Sequence, residues 1–179
     1  MIYLIRHGQS AFNAAYTGSG DPMIWDARLT AKGISQAIRA ADDVAALNFE
    51  LVITSPLTRA LETTEHLFSG SRPVAVVPGI REWQGHSCDV GRAPALLQKE
   101  FPDLDFSHLE EVWWHQAEPN DVGVPVEPHD IFKARVEATI SDIADIDARS
   151  IGVVCHGYVI EALTGEHPDN CGIVEYLSK

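Results

Sequence analysis

The chain begins MIYLIRHGQSAFN (1–13), where a run of four apolar residues leads without a break into Arg6, His7 and Gly8. A short, β-branched apolar run is typical of a strand that is buried on both faces of a parallel sheet. In open α/β sheets, ligands bind beyond the carboxyl ends of the strands. The stretch therefore predicts a buried first strand whose end carries two side chains suited to an anion.

Short apolar runs alternate with helical patterns along the rest of the chain. Besides the strand over 2–5, we predict strands at the other apolar runs, 51–54, 74–77 and 151–155, and at the interrupted run 171–177, which is typical of an edge. Helices are predicted over 29–47, 55–68, 129–146 and 156–165. Strands interleaved with helices predict an α/β fold, a three-layer α/β/α sandwich around a mostly parallel sheet.

Two of these helices carry more specific expectations. The first has Thr30 as its predicted N-cap and should bury one face. The residues of that face are Ile34, Ala37, Ile38, Ala41 and Ala45. The second helix should begin with Ser55 as N-cap and Pro56 at its first position.

The length and the loop pattern set the domain organisation. With 179 residues, the chain is long enough for one domain with a full core, and we expect a single domain over 1–179. The stretch 101–128 is rich in proline and tryptophan and has the least regular pattern, so we expect it to form a lid over a site. For its pair Trp113-Trp114, docking onto the core is the alternative to contact with a substrate.

Charge and cysteine content limit the partners and the location. The formal net charge of -13 argues against nucleic acid and an anionic membrane surface, because such surfaces would repel the chain. Cys88, Cys155 and Cys171 are odd in number and lack CxxC spacing, which indicates free thiols in a reducing compartment. Neither a signal segment nor an apolar run of membrane-spanning length is recognisable. We expect a soluble, cytoplasmic protein, and the sequence does not predict its oligomeric state.

The opening pattern recurs near the end of the chain. IGVVCHGYV (151–159) ends a second predicted strand in His156-Gly157, and LVITSPLTRA (51–60) places Arg59 in the first turn of the helix that follows another strand. Because the carboxyl ends of parallel strands meet at one edge of a sheet, Arg59 and His156 should join Arg6 and His7 there. The sequence therefore predicts an anion site with histidines inside it.

Two chemistries use a pair of histidines in this way. One is metal binding, with His7, His156 and a carboxylate as ligands. The other is phosphoryl transfer, in which a neutral imidazole attacks phosphorus while arginines offset the charge on the oxygens. The fixed positive charges of Arg6 and Arg59 would repel a metal cation and favour the second chemistry.

Glu82 follows the predicted strand 74–77 after a short turn and should also lie near this edge. Phosphoryl transfer from an ester needs an acid that protonates the leaving oxygen, and Glu82 is the best-placed candidate. The alternative is a structural salt bridge with Arg81 or another cation. Further candidates for the substrate end of the site are His86, Cys88, Asp89 and Arg92.

These stretches, taken together and in order, resemble the histidine phosphatase superfamily, also called the phosphoglycerate mutase-like proteins. The resemblance covers most of the chain and runs through LIRHGQSAFN, LTAKGISQA, SPLTRALETTEH, IREW and VVCHGYVIEALTG. It implies a sheet with one antiparallel strand, and neither a metal nor an organic cofactor.

The resemblance also implies roles for individual residues. His7 would be the phosphorylated nucleophile and Glu82 the proton donor. The phosphate pocket would be completed by Arg6, Asn13, Arg59 and His156.

Two positions depart from the family pattern. Gln9 stands where glutamate is frequent, and Tyr158 stands where a second glycine often follows the His-Gly pair. Neither change removes a group implied in catalysis, but Tyr158 would narrow the floor of the pocket.

The leading functional hypothesis is a metal-independent phosphatase that acts on a small cytosolic phosphate ester through a phosphohistidine. A phosphoglycerate-mutase-type phosphotransferase would use the same core residues. The resemblance implies a longer chain with larger insertions for a mutase, so this short chain favours hydrolysis. A phospho-ligand binding protein with a decayed site is a further alternative, against which the complete set of core residues argues. A metal hydrolase is the last alternative.

Overall fold

The computed structural model describes residues 1–68 and 73–177 of the chain. The strands are β1 (Ile2–Arg6), β2 (Leu51–Thr54), β3 (Val74–Val76), β4 (Ile151–Cys155) and β5 (Ile173–Tyr176). The helices are α1 (Ala11–Ala15), α2 (Ala31–Ala46), α3 (Thr58–Phe68), α4 (Pro94–Glu100), α5 (His129–Ala144) and α6 (Gly157–Thr164). Short 3₁₀ turns lie at Pro78–Ile80 and Ser87–Asp89.

The strands form one sheet in the order β3-β2-β4-β1-β5. The pairs β1–β4, β2–β4 and β2–β3 are parallel, and β5 pairs with β1 in the antiparallel direction at one edge. This topology confirms the predicted α/β class, with a mostly parallel sheet and one antiparallel edge strand.

The central pair β1–β4 aligns the two stretches that end in His-Gly. Arg6 lies opposite Cys155 in the register of the pair. The backbone N–H of His7 donates to the carbonyl oxygen of Cys155 at 3.0 Å, which extends the ladder by one residue. His7 and His156 therefore leave the sheet side by side.

Helices cover both faces of the sheet. On one face, α2 and α3 pack Ala37, Val44 and Ala60 against the strands, and on the other α5 and α6 do so with Val136 and Ile160. All five side chains are buried. Burying a large aliphatic side chain such as valine or isoleucine contributes about 1.5–3 kcal/mol, so the two apolar layers hold the strand ends in fixed positions.

Helix α3 begins later than predicted. Its first residue is Thr58, and Ser55 and Pro56 lie in the turn that precedes it. The buried carboxylate of Asp26 accepts the backbone N–H of Thr58 at 2.9 Å, so a distant residue satisfies this helix end. Ser55 is then free to contact His156 with its hydroxyl group, at 2.8 Å.

The predicted buried face of α2 is partly wrong. Ala37 is buried as expected, but Ile38 is 57% exposed, and Gly33 and Val44 are buried instead. A Cβ atom at Gly33 would lie 2.2 Å from the carbonyl oxygen of Gln9, so the helix touches the loop after β1 backbone to backbone. Because the helix approaches the loop so closely, the face that contains Gly33 and Ala37 packs toward the loop and the sheet. The spacing of apolar residues in the sequence does not indicate this orientation.

Residues 101–128 contain little regular structure, as the sequence indicates. Phe101, Phe106 and Trp113 are buried and pack with Leu57 and Leu61 of the α3 side in one apolar cluster. In this conformation the segment is docked on the core through its large side chains. Its movement as a lid stays a prediction.

None of the helices within 1–68 and 73–177 combines the length and apolar character that crossing a bilayer requires.

The close approach at Gly33 predicts a stability effect that opposes helix propensity. Gly33→Ala should lower the free energy of unfolding by about 1–3 kcal/mol, because the added methyl group meets backbone atoms that cannot rotate away. Helix propensity alone would make the same change stabilising by about 1 kcal/mol. Urea unfolding decides between the two signs, with exposed Lys32→Ala as the control on the same helix. A stabilised Gly33→Ala protein would contradict the contact.

Candidate active site

A cavity of about 210 Å³ opens at the carboxyl edge of the sheet. Five of the predicted site residues line it, namely Arg6, His7, Asn13, Arg59 and Glu82. The sixth, His156, is fully buried directly beneath, with its ring centroid 5.1 Å from that of His7. The structure therefore brings all six predicted residues together.

His7 is held in one tautomer. Its Nδ1 lies 2.7 Å from the carbonyl oxygen of Gly8, and a carbonyl only accepts, so Nδ1 carries the proton. Nε2 then keeps its lone pair and accepts the Nε–H of Arg59 at 3.2 Å. Burial, followed by the charge of Arg59, holds the pKa of His7 well below its usual value. The result is a neutral imidazole with a basic nitrogen beside a guanidinium.

Arg59 is fixed by contacts on both sides of its guanidinium. Besides contacting His7, it donates to the carbonyl oxygen of Cys88 at 2.6 Å and pairs with Asp89 at 2.8 Å. Arg59 and Asp89 are both buried. The Oδ2 atom of Asp89 accepts the N–H of His86 at 3.0 Å, so this carboxylate is itself held by backbone. Asp89, which the sequence suggested only as a pocket residue, thus orients the arginine.

His156 has one engaged and one free nitrogen. The Ser55 hydroxyl accepts the N–H of Leu57 at 3.3 Å and lies 2.8 Å from Nε2 of His156. If the hydroxyl hydrogen points to Nε2, then Nδ1 carries the proton. Nδ1 is buried and has no hydrogen-bond partner among the described residues, and the same holds for Nε of Arg6. Leaving a buried polar group unpaired costs about 1–3 kcal/mol, so these atoms point to a ligand.

Asn13 contributes a preset amide group. Its backbone N–H donates to the Ser10 hydroxyl, and its side-chain oxygen accepts the Ser10 N–H, each at 3.1 Å. This reciprocal cap at the start of α1 uses the amide oxygen and leaves the two amide N–H donors at the cavity wall.

Glu82 is a buried carboxyl group with a raised pKa. Burial, with a further contribution from the negative charge of Asp89, raises the pKa of Glu82 to about 7. Its oxygens accept the backbone N–H groups of Trp83 at 2.9 Å and Tyr158 at 3.3 Å. Arg81, the salt-bridge partner considered above, pairs with Glu127 instead, at 3.0 Å. A carboxyl group with this pKa exists in both protonation states near neutral pH, as a general acid requires.

The loop that carries Glu82 is clamped by residues that sequence reasoning missed. Arg135 donates to the carbonyl oxygens of Gly79 at 2.8 Å and Arg81 at 3.0 Å. It also pairs with Glu127 at 2.7 Å. Arg135 occupies an ordinary polar position of α5, so nothing in its sequence context signals this role.

The weaker candidates divide into two groups. His86, Cys88 and Asp89 line the cavity. Arg92 lies elsewhere, because its guanidinium pairs with Asp26 at 2.6 Å and Glu100 at 2.9 Å.

Comparison with known proteins identifies relatives of the chain. A family model described as the histidine phosphatase superfamily (branch 1) matches residues 2–169. The chain belongs to this superfamily. Its Arg6-His7-Gly8 and His156-Gly157 stretches, which meet at the cavity, both lie within the matched region.

Similar superfamily members include phosphatases and mutases. The chain is 32% identical over 120 residues to a "Probable phosphatase" of Schizosaccharomyces pombe, covering 62% of this chain and 53% of the relative. It is 31% identical over 129 residues to a 2,3-bisphosphoglycerate-dependent phosphoglycerate mutase of Staphylococcus aureus, covering 70% and 53%. The chain thus spans about half the length of these curated relatives.

Solved structures share the fold. An α-ribazole phosphatase from Shigella flexneri aligns with a TM-score of 0.58 at 24% identity, over 89% of this chain and 75% of that one. A phosphoserine phosphatase mutant from Entamoeba histolytica, in complex with phosphoserine, aligns with a TM-score of 0.59 at 22% identity, over 96% and 87%. At these identities the likeness concerns the fold.

The raised pKa of Glu82 predicts that this residue destabilises the folded protein increasingly as the pH rises. The pKa of Glu82 is about 7 in the folded protein and 4.5 in the unfolded chain. Its ionisation therefore takes almost nothing from the free energy of unfolding below pH 4.5, and the full loss is present above pH 7. Glu82→Gln should therefore gain about 2–3 kcal/mol more in free energy of unfolding at pH 8 than at pH 5. Chemical denaturation at the two pH values measures this difference, and exposed Glu137→Gln is the matched control. An equal effect at both pH values would contradict the raised pKa.

Proposed function

We propose that this chain is a metal-independent phosphomonoester hydrolase that acts on a small phosphate ester through a phosphohistidine on His7. The observation that carries the proposal is the hydrogen bonding of His7. Gly8 fixes the proton on Nδ1 at 2.7 Å, and Nε2 keeps a lone pair 3.2 Å from Nε of Arg59. A nucleophilic nitrogen thus lies against a cation that can hold the phosphoryl oxygens.

In the first step of this mechanism, Nε2 of His7 attacks phosphorus and the bond to the ester oxygen breaks. The phosphoryl oxygens are held by Arg6, Arg59 and Asn13 at the cavity wall and by His156 from beneath, whose unpaired Nδ1 carries the proton in this mechanism. Glu82 gives its proton to the leaving oxygen, which departs as the alcohol.

The second step regenerates the protein. Ionised Glu82 takes a proton from water, the resulting hydroxide attacks phosphorus, and the bond to Nε2 breaks. The products are inorganic phosphate, a neutral His7 and a protonated Glu82. A pKa of about 7 suits both steps of the reaction, because Glu82 must donate a proton in the first step and accept one in the second.

The mutase-type alternative keeps support from the phosphoglycerate mutases among the curated relatives. A mutase returns the phosphoryl group to an organic acceptor instead of water, with the same first step. Release of inorganic phosphate in proportion to alcohol identifies a hydrolase, whereas conversion of one phosphoglycerate isomer into the other without phosphate release identifies a mutase.

The metal hydrolase alternative has less support. Nδ1 of His7 is engaged by a carbonyl oxygen, and Nε2 faces a guanidinium, which would repel a cation at the remaining nitrogen. Chelator-insensitive turnover is expected.

The phosphohistidine gives the first functional prediction. Brief mixing with a labelled ester, followed by a quench that avoids acid, should leave phosphate on His7 that is labile to acid and stable to base. His7→Ala should lose the label and remote His66→Ala should keep it. Label that persists in His7→Ala, or that resists acid, would contradict the nucleophile.

The role of Glu82 gives the second. Glu82→Gln should lower kcat/KM for an alkyl phosphate by about 10²–10⁴, because the leaving alkoxide is strongly basic and needs a proton. For p-nitrophenyl phosphate the loss should be much smaller, and phosphohistidine should accumulate because the second step lacks its base. Equal losses of kcat/KM for both esters would remove Glu82 from the mechanism.

A further inference from the structure

Six ring side chains in two groups line the cavity, and Tyr16 and Tyr158 are open to solvent at its mouth. One group contains Phe12, Tyr16 and His86, whose ring centroids lie 5.2–5.4 Å apart. In the other, Tyr158 contacts the rings of Trp83 at 5.7 Å and His167 at 5.8 Å. All six residues line the cavity. The cavity therefore combines polar residues that suit a phosphate with a wall of aromatic rings.

The indole ring of Trp83 and the backbone beside the other rings are held in place by hydrogen bonds. The backbone N–H of Tyr158 donates to Glu82, and the indole N–H of Trp83 donates to the carbonyl oxygen of Glu127 at 2.7 Å. On the other side, Asp21 accepts the N–H of Ser87, next to His86, at 2.7 Å. Rigid rings lose little conformational entropy when a ligand stacks on them.

Some ring surface is still free for a ligand. Tyr16 is 39% exposed and Tyr158 is 44% exposed, although both belong to ring clusters at the mouth. The exposure of Tyr158 also corrects the expectation that it narrows the floor of the pocket, because a ring that open to solvent lies at the mouth.

The charges of the cavity do not suit an acidic alcohol group. Among residues 1–68 and 73–177, the cavity is lined by no lysine, and its arginines are Arg6 and Arg59. Arg59 is engaged by His7 and Asp89, and Arg6 has its free Nε in the same phosphate region. The carboxyl groups at the cavity are Asp89, which is paired with Arg59, and Glu82, which is ionised only in part near pH 7. Among the described residues, a carboxylate on the leaving alcohol would therefore find no lysine and no further arginine at the cavity, and it would lie near these acids.

We propose that the substrate of this site is a phosphomonoester whose alcohol part is a flat, uncharged aromatic ring, bound between the two groups of rings. This inference rests on the proposed function, since it names the class of ester that the site would cleave. Stacking between aromatic rings adds about 0.5–1.5 kcal/mol beyond the area buried, which corresponds to about a twofold to twelvefold preference for each contact.

The first test compares three esters with leaving alcohols of similar basicity. Benzyl phosphate should have a kcat/KM about tenfold above that of cyclohexylmethyl phosphate, which has nearly the same size without a flat ring. 4-Carboxybenzyl phosphate should fall below benzyl phosphate by a similar factor, because its added carboxylate meets no lysine or further arginine among the described lining residues. Equal values for all three, or faster turnover of 3-phosphoglycerate, would overturn the proposed substrate class.

The second test uses variants of the rings at the mouth. Tyr16→Leu and Tyr158→Leu should each lower the ratio of kcat/KM for benzyl phosphate to that for cyclohexylmethyl phosphate by at least about twofold. Tyr158→Phe should keep the ratio, because it keeps the ring. Tyr176→Leu, in β5 and outside the cavity lining, is the matched control. An unchanged ratio in both leucine variants would overturn the role of the rings.

A binding measurement separates this inference from the hydrolase proposal. Benzylphosphonate and cyclohexylmethylphosphonate cannot be cleaved by loss of an alcohol, and calorimetry compares their affinities directly. Tighter binding of benzylphosphonate supports the aromatic site even if no ester is hydrolysed, in which case the hydrolase proposal alone fails. Hydrolysis of all esters without any aromatic preference leaves the hydrolase standing and overturns the substrate class.

Discussion

The parallel pairing of β1 with β4 is the constraint on which the site depends. Its register sets Arg6 opposite Cys155, so the residues that follow, His7 and His156, leave the sheet as neighbours. Side chains alternate between the faces of a strand, and a slip of one residue would send each to the opposite face. The buried apolar side chains on both faces prevent that slip, and in this way the hydrophobic core determines the distance between two imidazoles.

Burial then gives the polar groups their properties. Away from water, the pKa of His7 falls and that of Glu82 rises, so near pH 7 His7 is a neutral base and Glu82 is present both as the acid and as the carboxylate. Asp89 acts on both the phosphate-binding arginine and the acid, because it pairs with Arg59 and also raises the pKa of Glu82. The unpaired Nδ1 of His156 and the buried carboxyl of Glu82 both weaken the fold, and a bound anion would compensate the first of these costs.

Much of this arrangement could be predicted from the sequence, since it depends on local signals. The β-branched runs predicted the four parallel strands, and the His-Gly pair after two of these strands indicated that His7 and His156 lie side by side. Long-range contacts could not be predicted. Helix α3 begins at Thr58 because Asp26 accepts its first N–H group, and α2 turns small residues inward because Gly33 touches the backbone of Gln9. The support of the Glu82 loop by Arg135 also joins segments that are distant in the chain.

The cysteine beside the site has a chemical consequence of its own. Cys88 lines the cavity, and its carbonyl oxygen accepts a hydrogen bond from Arg59, but burial raises the pKa of its thiol. Peroxides and disulfides react with thiolates, whereas a protonated, buried thiol is inert toward them. Because the proposed nucleophile is an imidazole nitrogen, we expect this site to be insensitive to oxidants that inactivate enzymes with a thiolate nucleophile.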